Sequence, residues 1–251
     1  MVHFIGAGCG SPDLITLRGK RLLEQADVII YAGSLVNRRL LDYGKPDCEL
    51  HDSATMTLEQ VIAVIGDAEK ASKTVVRLHS GDPSLYGAIH EQMRELDALG
   101  IDYDVCPGVS AFSGAAAALK AEYTLPGVSQ TVIITRAAGN TPVPERESIR
   151  SLAAHGATMV LFLSTTLLSE LERELTAGGY PPDTPAAIVY KASWEDEITA
   201  RCTVSTLQKT ACENNITKTA LITVGRFLGD ESERSKLYDP AFTTGFRKAS
   251  L

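Results

Sequence analysis

The chain has 251 residues, 44% hydrophobic and 22% charged, with a formal net charge of −7. That length suits one large domain or two of about 120 residues with a sizeable core, and the acidic balance argues against nucleic acid, whose phosphates call for a basic surface. No apolar run approaches the ~18 residues of a membrane helix, no signal-peptide pattern opens the chain, and the five cysteines, with no CxxC pair, point to a reduced, cytoplasmic protein with no metal site.

The first strand, 2–5, runs into a glycine turn, Gly6-Ala7-Gly8-Cys9-Gly10, then a Ser11-Pro12-Asp13 corner and a helix over 14–25. Glycines at such a turn let backbone N–H groups approach a ligand closely. A dinucleotide fingerprint needs a further glycine where this chain has Ser11, and a carboxylate after the second strand. That strand, 27–31, ends in Ala32-Gly33, so a nicotinamide oxidoreductase is the weaker reading. A short helix is expected over 34–43 and an amphipathic one over 58–73. A buried strand over 74–78 stops at Ser80-Gly81-Asp82-Pro83, and a helix over 85–100 is closed by Gly100. A strand over 101–106 stops at Pro107-Gly108-Val109-Ser110, before a small-residue helix over 111–119. This β-α alternation predicts an open, largely parallel sheet.

A break over 120–130 separates the second half. Strand 131–135 leads into the proline-bearing loop 139–144, helix 148–154 and strand 158–163. Helix 167–177, strands 186–190 and 197–203, helix 207–214 and strand 219–224 complete it. The last strands suggest antiparallel pairing. The fold class is α/β, with domains over 1–120 and 121–251.

Ligands of open α/β sheets sit beyond the carboxyl ends of the strands. Turns at Gly6–Gly10, Ser80–Pro83, Pro107–Ser110, Ser164–Thr166 and Ala192–Trp194 therefore outline a candidate site. Glycine and proline also merely punctuate strand ends. Asp82 suits either a ligand contact or a helix N-cap. Cys9 is a nucleophile or a tolerated small residue, Thr165 and Thr166 nucleophiles or caps, and Trp194 a ligand platform or a core residue.

Taken together, FIGAGCGSPDLIT, ADVIIYAGSLV, VVRLHSGDPSLYGA, CPGVSAFSGAAA, MVLFLSTT and KTALITVGR resemble the tetrapyrrole (corrin/porphyrin) methyltransferase family. The resemblance spans almost the whole chain. It implies two α/β domains with a cofactor cleft between them, S-adenosyl-L-methionine as methyl donor, and a homodimer. The segments YAGSLVNRRLL, HDSATMTLEQ, RLHSGDPSLYGAIHEQ, TVIITRAAGNTPVP, YKASWEDE and SKLYDPAFTTGFR are more specific. They imply methylation of carbon 11 of precorrin-4 or cobalt-precorrin-4 in cobalamin biosynthesis. Another corrinoid position or uroporphyrinogen III is the alternative, and a non-catalytic tetrapyrrole- or nucleotide-binding module is a reading of a different class. Siroheme-forming relatives usually carry Pro at Cys9, Asp at Ser11 and Asp at Ala32, which puts the uroporphyrinogen reaction in doubt.

By the same resemblance the donor contacts map to Cys9, Gly81, Asp82, Leu85, Ser110, Ala111, Leu163, Ala192 and Ala220. No catalytic base is assigned, because an electron-rich ring carbon needs alignment more than deprotonation. The carboxylates of the tetrapyrrole call for local cations. Arg77, Arg136 and Lys191, with Tyr86 and Trp194, are the candidates.

Overall fold

The structure, a computed structural model, describes residues 1–139, 141–230 and 232–250. The chain divides into two compact units: Met1–Gly114 with Lys191–Asp196, and Ala115–Tyr190 with Glu197–Leu251.

In the first unit, β1 (Val2–Gly6), β2 (Val28–Tyr31), β3 (Glu49–Asp52), β4 (Val75–His79) and β5 (Tyr103–Cys106) form one sheet in the order β3-β2-β4-β1-β5. Every pairing is parallel. β2 and β4 are buried at every position, which is why they read as apolar runs rather than alternating ones. One sheet face carries Ile5, Ile29, Val76 and Leu78 against Leu23 of α1 (Leu17–Gln25). The other carries Phe4, Val28 and Ile30 against Ile65 of α2 (Leu58–Lys70) and Leu96 of α3 (Ile89–Leu99).

Several local expectations shift for identifiable reasons. α1 starts at Leu17 because the Thr16 hydroxyl caps it by accepting from Gly19 N, and residues Pro12–Leu14 form a separate 3-10 turn. Residues 34–43 form two 3-10 turns, the second capped by Asn37. α3 starts at Ile89, since Tyr86 and Ala88 hold φ values of 57° and 50° that an α-helix does not admit. Gly100 closes it in the left-handed region, φ 67°, as expected. β3 is an edge strand whose sequence, ELHD, has no apolar run to announce it.

In the second unit, β6 (Val132–Arg136), β7 (Thr158–Phe162), β8 (Pro185–Tyr190), β9 (Ile198–Thr203) and β10 (Ala220–Val224) are ordered β6-β7-β10-β8-β9. β6 and β7 are parallel, while β10 runs antiparallel to both β7 and β8, and β9 antiparallel to β8. The last two strands are thus in antiparallel pairs, as the sequence suggested, each with β8 and not with the other. Helices α4 (Ile149–Ala153), α5 (Leu168–Ala177) and α6 (Leu207–Glu213) cover one face through Met159, Leu161, Leu171, Leu175 and Ile222. Because β10 is reversed, its first residue, Ala220, lies opposite the last residue of β8, Tyr190, at the sheet edge where β6 and β7 also end. No helix among the described residues is long and apolar enough to cross a membrane.

Candidate active site

In the first unit the loops after β1, β4 and β5 meet main chain to main chain. Gly8 N donates to Gly81 O at 3.2 Å and Gly81 N to Gly8 O at 2.8 Å. A Cβ on Gly6 would stand 2.5 Å from both Gly108 Cα and Gly81 O. A Cβ on Gly108 would strike Gly81 O and lie 2.7 Å from Gly6 Cα. The room that the sequence reading reserved for a ligand at Gly6 is filled by the protein's own backbone, which removes the remaining support for a dinucleotide turn.

Asp82 braces this junction. Its Oδ2 accepts from Gly108 N at 2.8 Å, and its Oδ1 accepts from Ser84 N at 2.9 Å and from the Ser84 hydroxyl. Burial raises the carboxyl pKa, but the bonds from Ser84 and Gly108 outweigh it and hold it below the ordinary value. Asp82 does not cap α3, which begins at Ile89. Gly81 also faces Ser110 and Ala111, whose Cα and N lie 3.6 and 3.5 Å from the position of an added Cβ.

The segment Lys191–Asp196 lies against the glycine turn. The Trp194 indole covers Gly10, leaving no space for a side chain there. Ser193 Oγ accepts from Ser11 N at 3.0 Å and sits 3.3 Å from Cys9 Sγ. Cys9 Sγ and the Ala192 methyl both crowd Gly114, at 2.7 and 3.3 Å from an added Cβ. Lys191 Nζ is 2.6 Å from Asp196 Oδ2 and 5.5 Å from the Trp194 ring centre. From the other side, Asn37 Nδ2 donates to Gly10 O at 3.0 Å. The structure therefore brings Cys9, Gly81, Asp82, Ser110, Ala111 and Ala192 onto linked loops. Leu85 is half-buried and Tyr86 exposed on the turn that follows Asp82.

Arg77 does not join them, which corrects the sequence expectation. It lies within β4, 7% exposed, with Nε donating to Gln92 Oε1 at 3.0 Å and a terminal nitrogen donating to Ile30 O at 3.2 Å. Burial pulls its pKa down to about 10. Its neighbour on the same face, His79, is 4% exposed, and its Nε2 has no hydrogen-bond partner. Burial first, and the Arg77 charge second, push the His79 pKa down to about 3, so the ring is neutral.

In the second unit Arg136, Leu163 and Ala220 lie at one sheet edge. Ser164, fully buried, joins the loops after β6 and β7: its Oγ accepts from Ala137 N at 2.8 Å and donates to Phe162 O at 2.7 Å. Thr165 Oγ1 donates to Ala220 O at 3.1 Å instead of capping the helix that follows. Leu163 is 67% exposed with φ 51°, an apolar side chain on a left-handed backbone. The Arg136 guanidinium donates to the carbonyls of Ala137, Thr141 and Pro142 at 3.3, 3.0 and 2.9 Å. Asn140, in the same loop, lies outside the described residues. Among the described residues no carboxylate pairs with Arg136, and no cluster of His, Cys, Asp or Glu is set to hold a metal.

Sequence reasoning missed Asn37, Gly108 and Ser193. Gly108 carried a signal, the Pro-Gly pair at a strand end. Ser193 lay inside the Ala192–Trp194 turn without a role of its own, and Asn37 carried no signal, since both act on partners far along the chain.

Residues 1–208 match the family model for tetrapyrrole (corrin/porphyrin) methylases. Over 249 residues the chain is 51% identical to the cobalt-precorrin-4 C(11)-methyltransferase of Methanocaldococcus jannaschii, covering 99% of this chain and 96% of that protein. It superposes on the X-ray structure of a cobalamin biosynthetic enzyme, cobalt precorrin-4 methyltransferase, with a TM-score of 0.89 and 47% identity, covering 90% of this chain and 95% of that one. A uroporphyrin-III C-methyltransferase from Thermus thermophilus, solved with S-adenosylhomocysteine, aligns with a TM-score of 0.74 at 25% identity, covering 93% and 95% of the two chains. With glycine loops that pack on one another and a match over 1–208, the chain belongs to the tetrapyrrole (corrin/porphyrin) methylase family.

Proposed function

We propose that the protein transfers a methyl group from S-adenosyl-L-methionine to carbon 11 of precorrin-4 or cobalt-precorrin-4, a step of cobalamin biosynthesis, as a cytoplasmic homodimer. The observation that carries the reading is the chemistry of the first unit's loops. The junction of Gly6, Gly8, Gly81 and Gly108, with Cys9, Ser110, Ala111 and Ala192 beside it, offers amides, carbonyls, a hydroxyl and a thiol. The cation beside it, Lys191, is paired with Asp196. Among the described residues a positively charged donor meets no uncompensated like charge there, so the residues fit the group. When bound, S-adenosylmethionine supplies an electrophilic methyl on a sulfonium.

No general base is needed in this reading; His79, at the end of β4, is buried and, with its pKa pushed down to about 3, a weak base. What the chain supplies is alignment of donor and acceptor carbon. The donor contacts implied by the resemblance are Cys9, Gly81, Ser110, Ala111 and Ala192 in the first unit, and Leu163 and Ala220 in the second. Asp82 and Leu85 act from the same turn, Asp82 by fixing Gly108. Arg136 is the first candidate for the acceptor's carboxylates, because three carbonyls aim its guanidinium without neutralising it. Tyr86 and Trp194 offer rings to the macrocycle, and Lys191 becomes available only by leaving Asp196.

The test is to incubate the protein with methyl-labelled S-adenosylmethionine and precorrin-4, its cobalt form or uroporphyrinogen III, and to locate the new methyl by NMR. Label at carbon 11 is expected. Label only on uroporphyrinogen III, or no transfer with any acceptor, overturns the reading.

A further inference from the structure

Two residues of the segment Lys191–Asp196, Lys191 and Ser193, hold φ values of 46° and 65°. Such conformations are unfavourable for residues with a Cβ and persist only where surrounding contacts enforce them. Here the contacts can be named. Lys191 Nζ reaches Asp196, Trp194 N donates to Lys191 O at 3.0 Å, Arg39 meets Glu195 at 3.2 Å, and the Trp194 ring covers Gly10. Together they deliver the Ser193 hydroxyl to one place, where it accepts from Ser11 N and lies 3.3 Å from Cys9 Sγ.

The turn that receives it needs such support. Gly8, at φ 82°, and Gly10 have no side chains of their own to hold the turn, so its course is set by contacts from outside it. The bridge to Gly81 fixes the turn at Gly8, and Asn37 fixes it at Gly10 O. At Ser11 the bond to Ser193 is the hydrogen bond that holds the main-chain N–H.

We propose that Ser193 is a positioning residue for methyl transfer: its hydroxyl locks the far end of the glycine turn and so fixes where Cys9 is presented to the donor. This rests on the methyltransferase reading above. Ser193 need not touch donor or acceptor. Its strained backbone is the counterpart of a hydroxyl placed where an unstrained loop would not put it.

Ser193→Gly separates placement from stability, because glycine adopts φ 65° without penalty. The protein is compared with this variant by calorimetric titration of S-adenosylhomocysteine, thermal melting and amide exchange at Ser11. The expected result is a ~10-fold weaker Kd, from the loss of one partly buried hydrogen bond. Faster exchange at Ser11 and an undiminished melting temperature are expected with it. Ser193→Asn also tolerates the left-handed backbone and restores an acceptor, so it recovers part of the Ser11 protection and of the affinity. If the parent protein binds S-adenosylhomocysteine and Ser193→Gly binds it equally well, the proposal is overturned while the methyltransferase reading stands. A melting temperature that falls in step with affinity, or no recovery with asparagine, also overturns it. A parent protein that does not bind S-adenosylhomocysteine defeats the methyltransferase reading first and the proposal with it.

Discussion

At the ends of β1, β4 and β5 the first unit removes side chains: Gly6, Gly81 and Gly108 let three loops touch backbone to backbone. At the corresponding strand ends of the second unit the loops are held by side chains, the Ser164 hydroxyl between β6 and β7 and the Arg136 guanidinium across its own loop. Both arrangements satisfy buried main-chain groups, but they fail differently. An added methyl has nowhere to go in the first, whereas in the second a removed hydroxyl leaves one donor unpaired. The difference also bears on precision. Backbone packed on backbone has no rotamers, so the loops that carry Cys9, Gly81 and Ser110 are the stiffer set.

The largest effect is expected at Gly108. Gly108→Ala drives a methyl into Gly81 O and Gly6 Cα. A loss of about 3 kcal/mol or more is expected, at the upper end for overpacking, because both obstacles are main chain. Denaturant unfolding checks it against Gly66→Ala in α2, where nothing lies within 4 Å of the new methyl. That control gains about 0.5–1 kcal/mol from helix propensity. A tolerated Gly108→Ala would show that the backbone junction is loose and end the contrast between the units.

His79 provides the next largest effect, and it is a pH effect. Its pKa is about 3 in the folded protein against 6.5 unperturbed. As pH falls below 6.5 the unfolded chain takes up the proton first, so stability is full above 6.5 and drains away toward pH 3. At pH 5 the loss is about 2 kcal/mol. In His79→Phe this part of the acid sensitivity disappears, whatever the variant's stability at neutral pH. Unfolding curves from pH 7 to pH 4 decide it: parallel pH profiles for the two proteins would place the acid-labile groups elsewhere.

Ser164→Ala tests the second unit. It orphans Ala137 N in a buried setting and is expected to cost about 1–2 kcal/mol, measured as a shift in denaturation midpoint at constant slope. A cost as large as that of Gly108→Ala would erase the distinction drawn between packing by absence and packing by hydroxyl.

How much of this was legible in the sequence follows from the physics of each element. VIIY and VVRLH were readable as strands because they are buried on both faces, and Gly100 as a helix end because it stands where a left-handed cap is needed. ELHD was not readable, since an edge strand buries too little to leave a pattern. Arg77 shows the limit of placing cations by strand ends. One residue along a strand reverses the face, and the side chain that was expected at the rim lies against Gln92. The glycines of the first turn were visible but their purpose was not, because Gly6 is required by Gly108, about a hundred residues away. Ser193 stood in a turn that was visible, but its role was not, for the same reason: its partner Ser11 is a long-range one.

Leu163 is the smallest expected effect and the one that tests a proposed donor contact directly. It follows β7 with φ 51° and leaves 67% of its surface exposed. A leucine there bears two costs at once, a left-handed backbone of roughly 1 kcal/mol and apolar surface left in water. Neither is offset by packing within the second unit, where the neighbouring Ser164 and Thr165 do the tethering. Leu163→Gly relieves the backbone, and its extra unfolded-state entropy takes part of the gain back, so stability is expected to rise by about 0.5 kcal/mol or less. If Leu163 covers the bound donor, the same change weakens S-adenosylhomocysteine binding several-fold, by removing one apolar contact of about 1 kcal/mol. Calorimetry and thermal melting on one sample separate these outcomes. A more stable protein with weaker binding marks Leu163 as retained for the ligand at the expense of the fold. Unchanged binding removes it from the donor contacts and leaves Ala220 as the second unit's candidate.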